Sequence, residues 1–458
     1  MEDMKNGKRS SFSGKLGYVL AAAGASVGLG NIWRFPYLAA KYGGGIFLII
    51  YIVLALTFGY TMIVAETAIG RMTRKSPVGA FKSFGKKKWL SFGGWINAVI
   101  PVLIVPYYSV IGGWVIKYLV EYFRGNAKLL AEDGYFTDFI SNGVSTELCF
   151  VAFCAFTLII IFAGVQNGIE RVSKIMMPIL IVLSVIIAVY SVTRPGALAG
   201  VKYFLVPNVK NFSWMTVVAA MGQMFYSLSI AMGILITFGS YMKKDTAIED
   251  STRNVEIFDT GIAIMAGLMI IPAVFAFSGG DPNTLQAGPS LMFITIPKVF
   301  QNMGFGTVIG IVFFLLVLFA AVTSSIALTE SAVSTFEDEL GWGRKKATVL
   351  VGVIMLALGS LSSLGYGPLA GIKITGMQFL DLFDFLTNSV MMPIAAFLTS
   401  LFVSRVVGID KIEEEIIHGE SAFRRKKVFV VMIKYLCPVF AIIILLSSVA
   451  NALGWIKM

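Results

Sequence analysis

Residues 20–36, LAAAGASVGLGNIWRFP, hold the densest set of chemically useful groups in the chain. Gly24, Ser26 and Gly28 fit the G-x-S-x-G spacing of a nucleophile elbow, where a serine is activated on a strand-to-helix turn. That chemistry needs a histidine to take the serine proton. The sole histidine, His418, lies in a charged stretch far along the chain, and no H-E-x-x-H occurs, so the chain reads as no enzyme. The remaining chemistry is binding by backbone. Gly24, Gly28 and Gly30 fall within seven residues, and each costs a helix interior about 1 kcal/mol relative to Ala. Asn31, Arg34 and Pro36 follow. A helix broken here frees carbonyls that suit a small hard cation and N–H groups that suit a carboxylate, which points to sodium and a small zwitterion.

Other polar groups stand in apolar runs. Thr323, Ser324 and Ser325, in FAAVTSSIAL, either bond the preceding turn's carbonyls or offer hydroxyl oxygens to a cation. Asp259, in FDTGIAIMAGLMIIPAVF, is either a helix cap or an intramembrane acid with a function. Glu66, in IVAETAIGR, suits bonding the exposed N–H groups of a broken helix. Arg34 and Asp384 either pair across a vestibule or are unrelated interfacial charges. Gly168 and Pro178, with nine residues between them, weaken a helix at its cytoplasmic end, as a packing accident or as a hinge. Cys149, Cys154 and Cys437 sit in apolar surroundings with no metal-ligand spacing.

These groups need elements that cross a bilayer. The 458 residues are 57% apolar and only 14% charged, against about 25% charged in soluble proteins. The expected class is an all-α polytopic membrane protein. A net charge of +11 would suit nucleic acid, but the Lys and Arg lie in short clusters between apolar runs, as membrane topology requires. Eleven spans are expected, near 16–40, 44–70, 90–123, 147–164, 169–192, 214–241, 255–278, 305–336, 347–363, 376–404 and 428–455. The first is read as a retained span and not a signal peptide. The loop 71–88 carries seven Lys and Arg and no acid, so it faces the cytoplasm. This sets the N-terminus inside and the C-terminus outside. Span 6 holds a second weak spot at residues 227–233, and the outer loop 279–304 has room for a short helix. Breaks in spans 1 and 6 are five spans apart, which points to an inverted repeat of spans 1–5 (residues 1–192) and 6–10 (residues 214–404), followed by span 11, in a single transporter domain.

With LAAAGASVGLGNIWRFP, AETAIGR, PYYSVIGGW, NGIERVSKIMMP, GQMFYSLSIAMG, FAAVTSSIAL and FEDEL in this order, nearly the whole chain closely resembles the neurotransmitter:sodium symporter family, in its prokaryotic amino-acid branch with the LeuT fold. The resemblance implies Na⁺-coupled symport of a neutral, mostly hydrophobic amino acid by alternating access, in a cell membrane, with no organic cofactor. It implies two sodium sites. One comprises Ser26, Asn31, Ser227 and Asp259; the other comprises Gly24, Val27, Ala320, Thr323 and Ser324. The substrate carboxylate would meet the N–H groups of Leu29 and Gly30 and the Tyr108 hydroxyl. Its amino group would meet carbonyls near Ser26, Tyr226, Ser227 and Ser229. Ala25, Gly28, Ile104, Tyr108, Tyr226, Met232, Ser324 and Leu328 would complete the pocket.

By the same likeness Arg34, Gln223 and Asp384 form an outer gate, and Arg9 and Asp338, with Phe12 and Tyr241, an inner one; Gly168 and Pro178 match a motif that unwinds. Three departures stand out. The chain ends after span 11, where better-known members have twelve. Asp259 replaces the Asn of chloride-dependent relatives, which implies chloride independence, and Ala263 stands where some chloride-independent relatives have Glu. Ala231 stands where many have Gly, and its methyl is expected to narrow the pocket. The competing expectations are a proton-coupled or exchange transporter of the same fold and a sodium-occupied receptor that transports nothing.

Overall fold

Long aliphatic runs with few charges have one stable solution in lipid, the helix that satisfies its own backbone. The computed structural model describes residues 9–85, 87–279, 288–452 and 454–455, and these are almost entirely helical, with two isolated bridges and no strand among them. In chain order the main helices are α1 (Lys15–Ser26), α2 (Gly30–Lys41), α3 (Gly45–Thr73), α4 (Lys88–Phe123), α5 (Gly143–Phe162), α6 (Val165–Val192), α7 (Trp214–Ser227), α8 (Ile234–Ser240), α9 (Ile248–Ser278), α10 (Gly306–Leu340), α11 (Arg344–Leu364), α12 (Phe379–Val407) and α13 (Lys426–Asn451).

Nine of the described helices are long and apolar enough to cross a bilayer, and α1 with α2, bent by 52°, makes a tenth. The expected eleven is reached only if α7 and α8 are added as one more span across their break. Length and composition alone do not give that count, because the break shortens each half. The outer loop does carry a short helix, Ile296–Asn302, and the inner loop 405–427 carries another, Ile409–Ile417. Lys86 of the basic loop, residues 280–287 of the outer loop and residues 1–8 lie outside the described residues.

Both expected breaks are present. α1 stops at Ser26 because Val27 turns extended, at φ −75° and ψ 97°. α7 stops because Ser229, Ala231 and Gly233 take φ of +52°, +59° and +69°. The first two are left-handed residues with a Cβ, a conformation costing roughly 1–2 kcal/mol each. The broken pieces sit at the centre, with α1 packed on α6, α9 and α10, and α8 packed on α3. At the end of α3, Arg71 is fully buried against Glu415 of the helix Ile409–Ile417, its Nε donating at 2.7 Å.

The α3–α8 contact depends on having no side chain. A Cβ on Gly70 would lie 2.0 Å from the Ile236 carbonyl oxygen, and one on Gly239 would lie 2.4 Å from that of Thr67. We predict that Gly70→Ala lowers stability by roughly 1–3 kcal/mol through overpacking, read as a lower melting temperature in detergent; an unchanged melting curve would show that the two helices are free to separate.

Candidate functional site

The glycines of the first break do not adopt positive φ. They clear space for side chains arriving from other helices. A Cβ on Gly24 would lie 3.1 Å from Thr323 Cβ, one on Gly28 would lie 2.6 Å from Ser324 Oγ, and one on Gly30 would lie 2.4 Å from the Tyr226 ring. Three groups from α10 and α7 thereby reach the opened backbone of the first span.

The freed polar atoms find partners. Ser229 Oγ donates to the Ala25 carbonyl at 2.9 Å, and Gln223 Nε2 donates to that of Gly30 at 3.0 Å. Glu66 Oε1 accepts the Ala231 N–H at 2.8 Å, so the acid of α3 serves the second break, not the first. Ser26 Oγ donates to the Ala22 carbonyl at 3.1 Å, the posture of a helix hydroxyl and not of a nucleophile.

Two oxygen-rich clusters flank the first break. In one, Asp259 is buried well inside α9 and is no cap. Its Oδ1 accepts from Asn31 Nδ2 and from Ser227 Oγ, both at 2.8 Å, and its Oδ2 accepts from the Tyr51 hydroxyl at 2.8 Å. Asn31 Oδ1 in turn accepts the Gly28 N–H at 3.2 Å. In the other, Ser324 Oγ lies 3.2 Å from the Gly24 and Ala25 carbonyls and 3.4 Å from that of Val27. Thr323 Oγ1 lies 3.2 Å from the Ala320 carbonyl and 3.0 Å from that of Phe319. Thr323 therefore bonds its own preceding turn, while Ser324 reaches across to the break. The first set offers carboxylate, amide and hydroxyl oxygens and the second hydroxyl and carbonyl oxygens, both of them chemistry a hard monovalent cation prefers. Among the described residues no group of three His, Cys, Asp or Glu gathers to hold a metal.

Between the clusters lies a cavity of about 30 Å³ lined by Ala25, Ser26, Gly28, Leu29, Gly30, Asn31, Ile104, Tyr108, Tyr226, Ser229, Met232, Ser324 and Leu328. The Leu29 N–H points to the Tyr108 hydroxyl at 3.3 Å. Two expectations change. Ser227 does not line the cavity, because its hydroxyl is turned to Asp259 and Tyr51. Ala231 does not line it either, so its methyl acts on the backbone of the break and not on the cavity wall.

The two expected gates are unequal. On the inner side Arg9 Nη1 donates to Asp338 Oδ1 at 2.5 Å, Nε to Ser240 Oγ at 2.8 Å and Nη2 to Ser334 Oγ at 2.7 Å. Phe12 packs edge-on against Phe238 and Tyr241, and the Tyr241 hydroxyl donates to Glu330 at 2.7 Å. The segment behind this latch is held to α6, where Glu170 Oε2 accepts the Ser13 N–H at 2.8 Å and Oε1 accepts from Lys174 at 2.6 Å. On the outer side the expected pair is not formed. Arg34 lies over the Tyr226 ring at 5.2 Å, while Asp384 accepts from Asn388 at 2.6 Å and from Tyr107 at 3.3 Å. Among the described residues no ion pair joins them, and Gln223 is spent on Gly30. The expected hinge is wound: Val165–Glu170 is a π-turn around Gly168, where a Cβ would lie 2.1 Å from the Ile160 carbonyl oxygen, and the helix continues through Pro178. Sequence reasoning missed Tyr51, Tyr107, Ser240 and Ser334. Each is an ordinary residue of its run, and only the fold gives it a partner.

Comparison with known proteins follows this geometry. The sodium:neurotransmitter symporter family matches residues 9–130 and 136–455. A sodium-dependent transporter of Bacillus subtilis (strain 168), YhdH, is 34% identical over 450 residues, covering 97% of this chain and 99% of its own. A sodium-dependent transporter of Haemophilus influenzae is 31% identical over 459 residues, with 97% and 99% covered. The crystal structure of MhsT in complex with L-phenylalanine superposes with a TM-score of 0.86 at 35% identity, over 96% of this chain and all of that one.

The inner latch yields a prediction. Arg9→Ala removes the Asp338 contact, so a cysteine introduced at Ser334 should react faster with a membrane-impermeant thiol reagent applied from the cytoplasmic side. An unchanged labelling rate would mean that the ion pair does not hold this side shut.

Proposed function

The chain belongs to the sodium:neurotransmitter symporter family, a family of transporters and not of enzymes, and on that premise we propose that it moves a neutral, mostly hydrophobic amino acid across a cell membrane with Na⁺, without chloride. The observation that carries the reading is the buried Asp259 carboxylate, which accepts from Asn31 beside the first break and from Ser227 beside the second. One acid thus ties together the two segments whose opened backbones face the cavity.

In this reading Na⁺ is cargo. Ser26, Asn31, Ser227 and Asp259 would hold one ion, and Gly24, Val27, Ala320, Thr323 and Ser324 a second. Each ion moving down about 100 mV supplies roughly 2.3 kcal/mol to the substrate's accumulation. The amino-acid carboxylate would take the N–H groups of Leu29 and Gly30 and the Tyr108 hydroxyl. Its amino group would take carbonyls around Ser26, Tyr226 and Ser229. The cavity lining carries no charged side chain, which favours a neutral substrate. A latched inner gate with an unpaired Arg34 and Asp384 suits one stage of alternating access, in which the outer side is the next to open.

Chloride independence rests on Asp259. The Tyr51 and Ser227 hydroxyls both donate to its carboxylate, so a fixed negative charge already lies among the donors that a chloride would need. Like charges so close repel strongly in a low-dielectric interior. The basic cytoplasmic loops support a plasma or inner membrane location with the N-terminus inside and the C-terminus outside.

Two measurements test this. In proteoliposomes, uptake from a panel of neutral amino acids should occur in Na⁺ and be absent in K⁺; uptake that follows a pH gradient and ignores Na⁺ would instead support proton coupling. Uptake should be equal in chloride and gluconate. Asp259→Asn should abolish transport or make it chloride-sensitive, and a fully active, chloride-indifferent variant would remove Asp259 from the ion site.

A further inference from the structure

At the end of the molecule that carries Arg9, several cations have an acid beside them. Lys426, at the foot of α13, lies 2.5 Å from Glu413, and Arg425 lies 3.3 Å from Glu256. Lys244 and Arg71 share Glu415. Arg405 and Lys434 differ. Both are exposed, and neither has a hydrogen-bond or ion-pair partner among the described residues.

Lys434 is separated from Lys427 by six apolar residues and is followed by Tyr435, so it stands in the third turn of a helix long and apolar enough to cross a bilayer. At 1.5 Å per residue it lies about 12 Å along the axis from Lys426. Val431, Tyr435 and Val439 of the same helix are exposed too, which makes the surroundings of Lys434 a face for lipid. A lysine there is costly in hydrocarbon, and its long stem carries the ammonium back toward the headgroups. The fold then adds a second charge. α12 closes in a π-turn, Val403–Val407, that holds Arg405, and Lys434 lies in a π-turn of α13, Met432–Leu436. The two turns pack on one another. Two cations on touching turns repel, the more so beside a low dielectric. No acid of the described chain answers them, so an anion from outside must.

We propose that Arg405 and Lys434 form a binding site for the phosphate of an anionic phospholipid, whose acyl chain lies along Val431, Tyr435 and Val439. The guanidinium fork of Arg405 suits two phosphate oxygens at once, and the Lys434 ammonium adds a point charge. A zwitterionic lipid brings its own ammonium to the pair and gains less. A free phosphate leaves the apolar strip uncovered, whereas a lipid covers both. The lipid joins α12 to α13 at the point where their own side chains repel. None of the cavity, oxygen-cluster or gate residues takes part, so the inference stands apart from the transport reading.

The test is native mass spectrometry of the purified full-length protein in an uncharged detergent, titrated with phosphatidylglycerol or with phosphatidylethanolamine. The first phosphatidylglycerol should bind at least about tenfold more tightly than the first phosphatidylethanolamine. Lys434→Gln and Arg405→Gln should each weaken that step about fivefold, the scale of one basic residue at an anionic surface. Lys345→Gln with Lys346→Gln, an exposed basic pair on α11, should leave it unchanged. Excess inorganic phosphate should not displace the lipid. Displacement would assign the pair to a free anion and overturn the proposal. Unaltered phosphatidylglycerol affinity in both Gln variants, or an equal loss in the α11 variant, would mean diffuse attraction to a basic surface and would also overturn it. Equal binding of the two lipids by the unsubstituted chain decides against it even if no variant folds. The binding needs neither Na⁺ nor an amino acid, so a failed uptake assay leaves this test intact.

Discussion

A helix interrupted inside a bilayer must satisfy its freed backbone from within the protein, and everything at the centre of this molecule follows from that demand. The break at residues 27–29 and the break at 228–233 solve it partly for each other. Ser229 reaches the Ala25 carbonyl, Gln223 reaches that of Gly30, and Asp259 receives Asn31 and Ser227. The rest comes from outside, with Ser324 of α10 on the first break and Glu66 of α3 on the second. The two opened segments thus satisfy one another in part, and the oxygen clusters and the cavity lie where they meet.

The glycines show how the chain makes room for this. Gly24, Gly28 and Gly30 are each crowded by a specific side chain, Thr323, Ser324 and Tyr226. Gly70 and Gly239 do the same for α3 and α8. Close approach, more than conformational freedom, is what these positions require. The left-handed turns of the second break fall instead on Ser229 and Ala231, where the residue type resists them. The two breaks thus differ in kind: one is opened to admit neighbours, the other is held open by them.

Much of the architecture was legible in the sequence because it is written in runs and interruptions. The helix positions, both breaks and the role of Glu66 follow from polar or small residues placed where lipid forbids them, whereas the gathering of Asn31, Ser227 and Asp259 was expected from the family resemblance alone. Tyr51 was not legible: a tyrosine in an aliphatic run has many uses, and only the crossing of α3 and α9 turns its hydroxyl onto Asp259. The outer gate misled for a different reason. Sequence places Arg34 and Asp384 on the same side, but whether two charges meet depends on the conformation, and here Tyr226 and Asn388 hold them apart. The expected count of eleven spans is not reached on apolar length alone among the described residues, because the second break divides α7 from α8 into halves too short to be counted.

The short tether behind the inner latch has one more consequence. Ser13 hangs on Glu170, and Glu170 belongs to the π-turn that surrounds Gly168. The Arg9 latch and the π-turn of the neighbouring helix are therefore links of one chain, wired in series. A movement that loosens that turn slackens the tether to Ser13, and release of the tether frees the turn in return. Movement at the latch and movement at the turn would then share a clock, with no signal needed from the distant Arg34 side of the molecule.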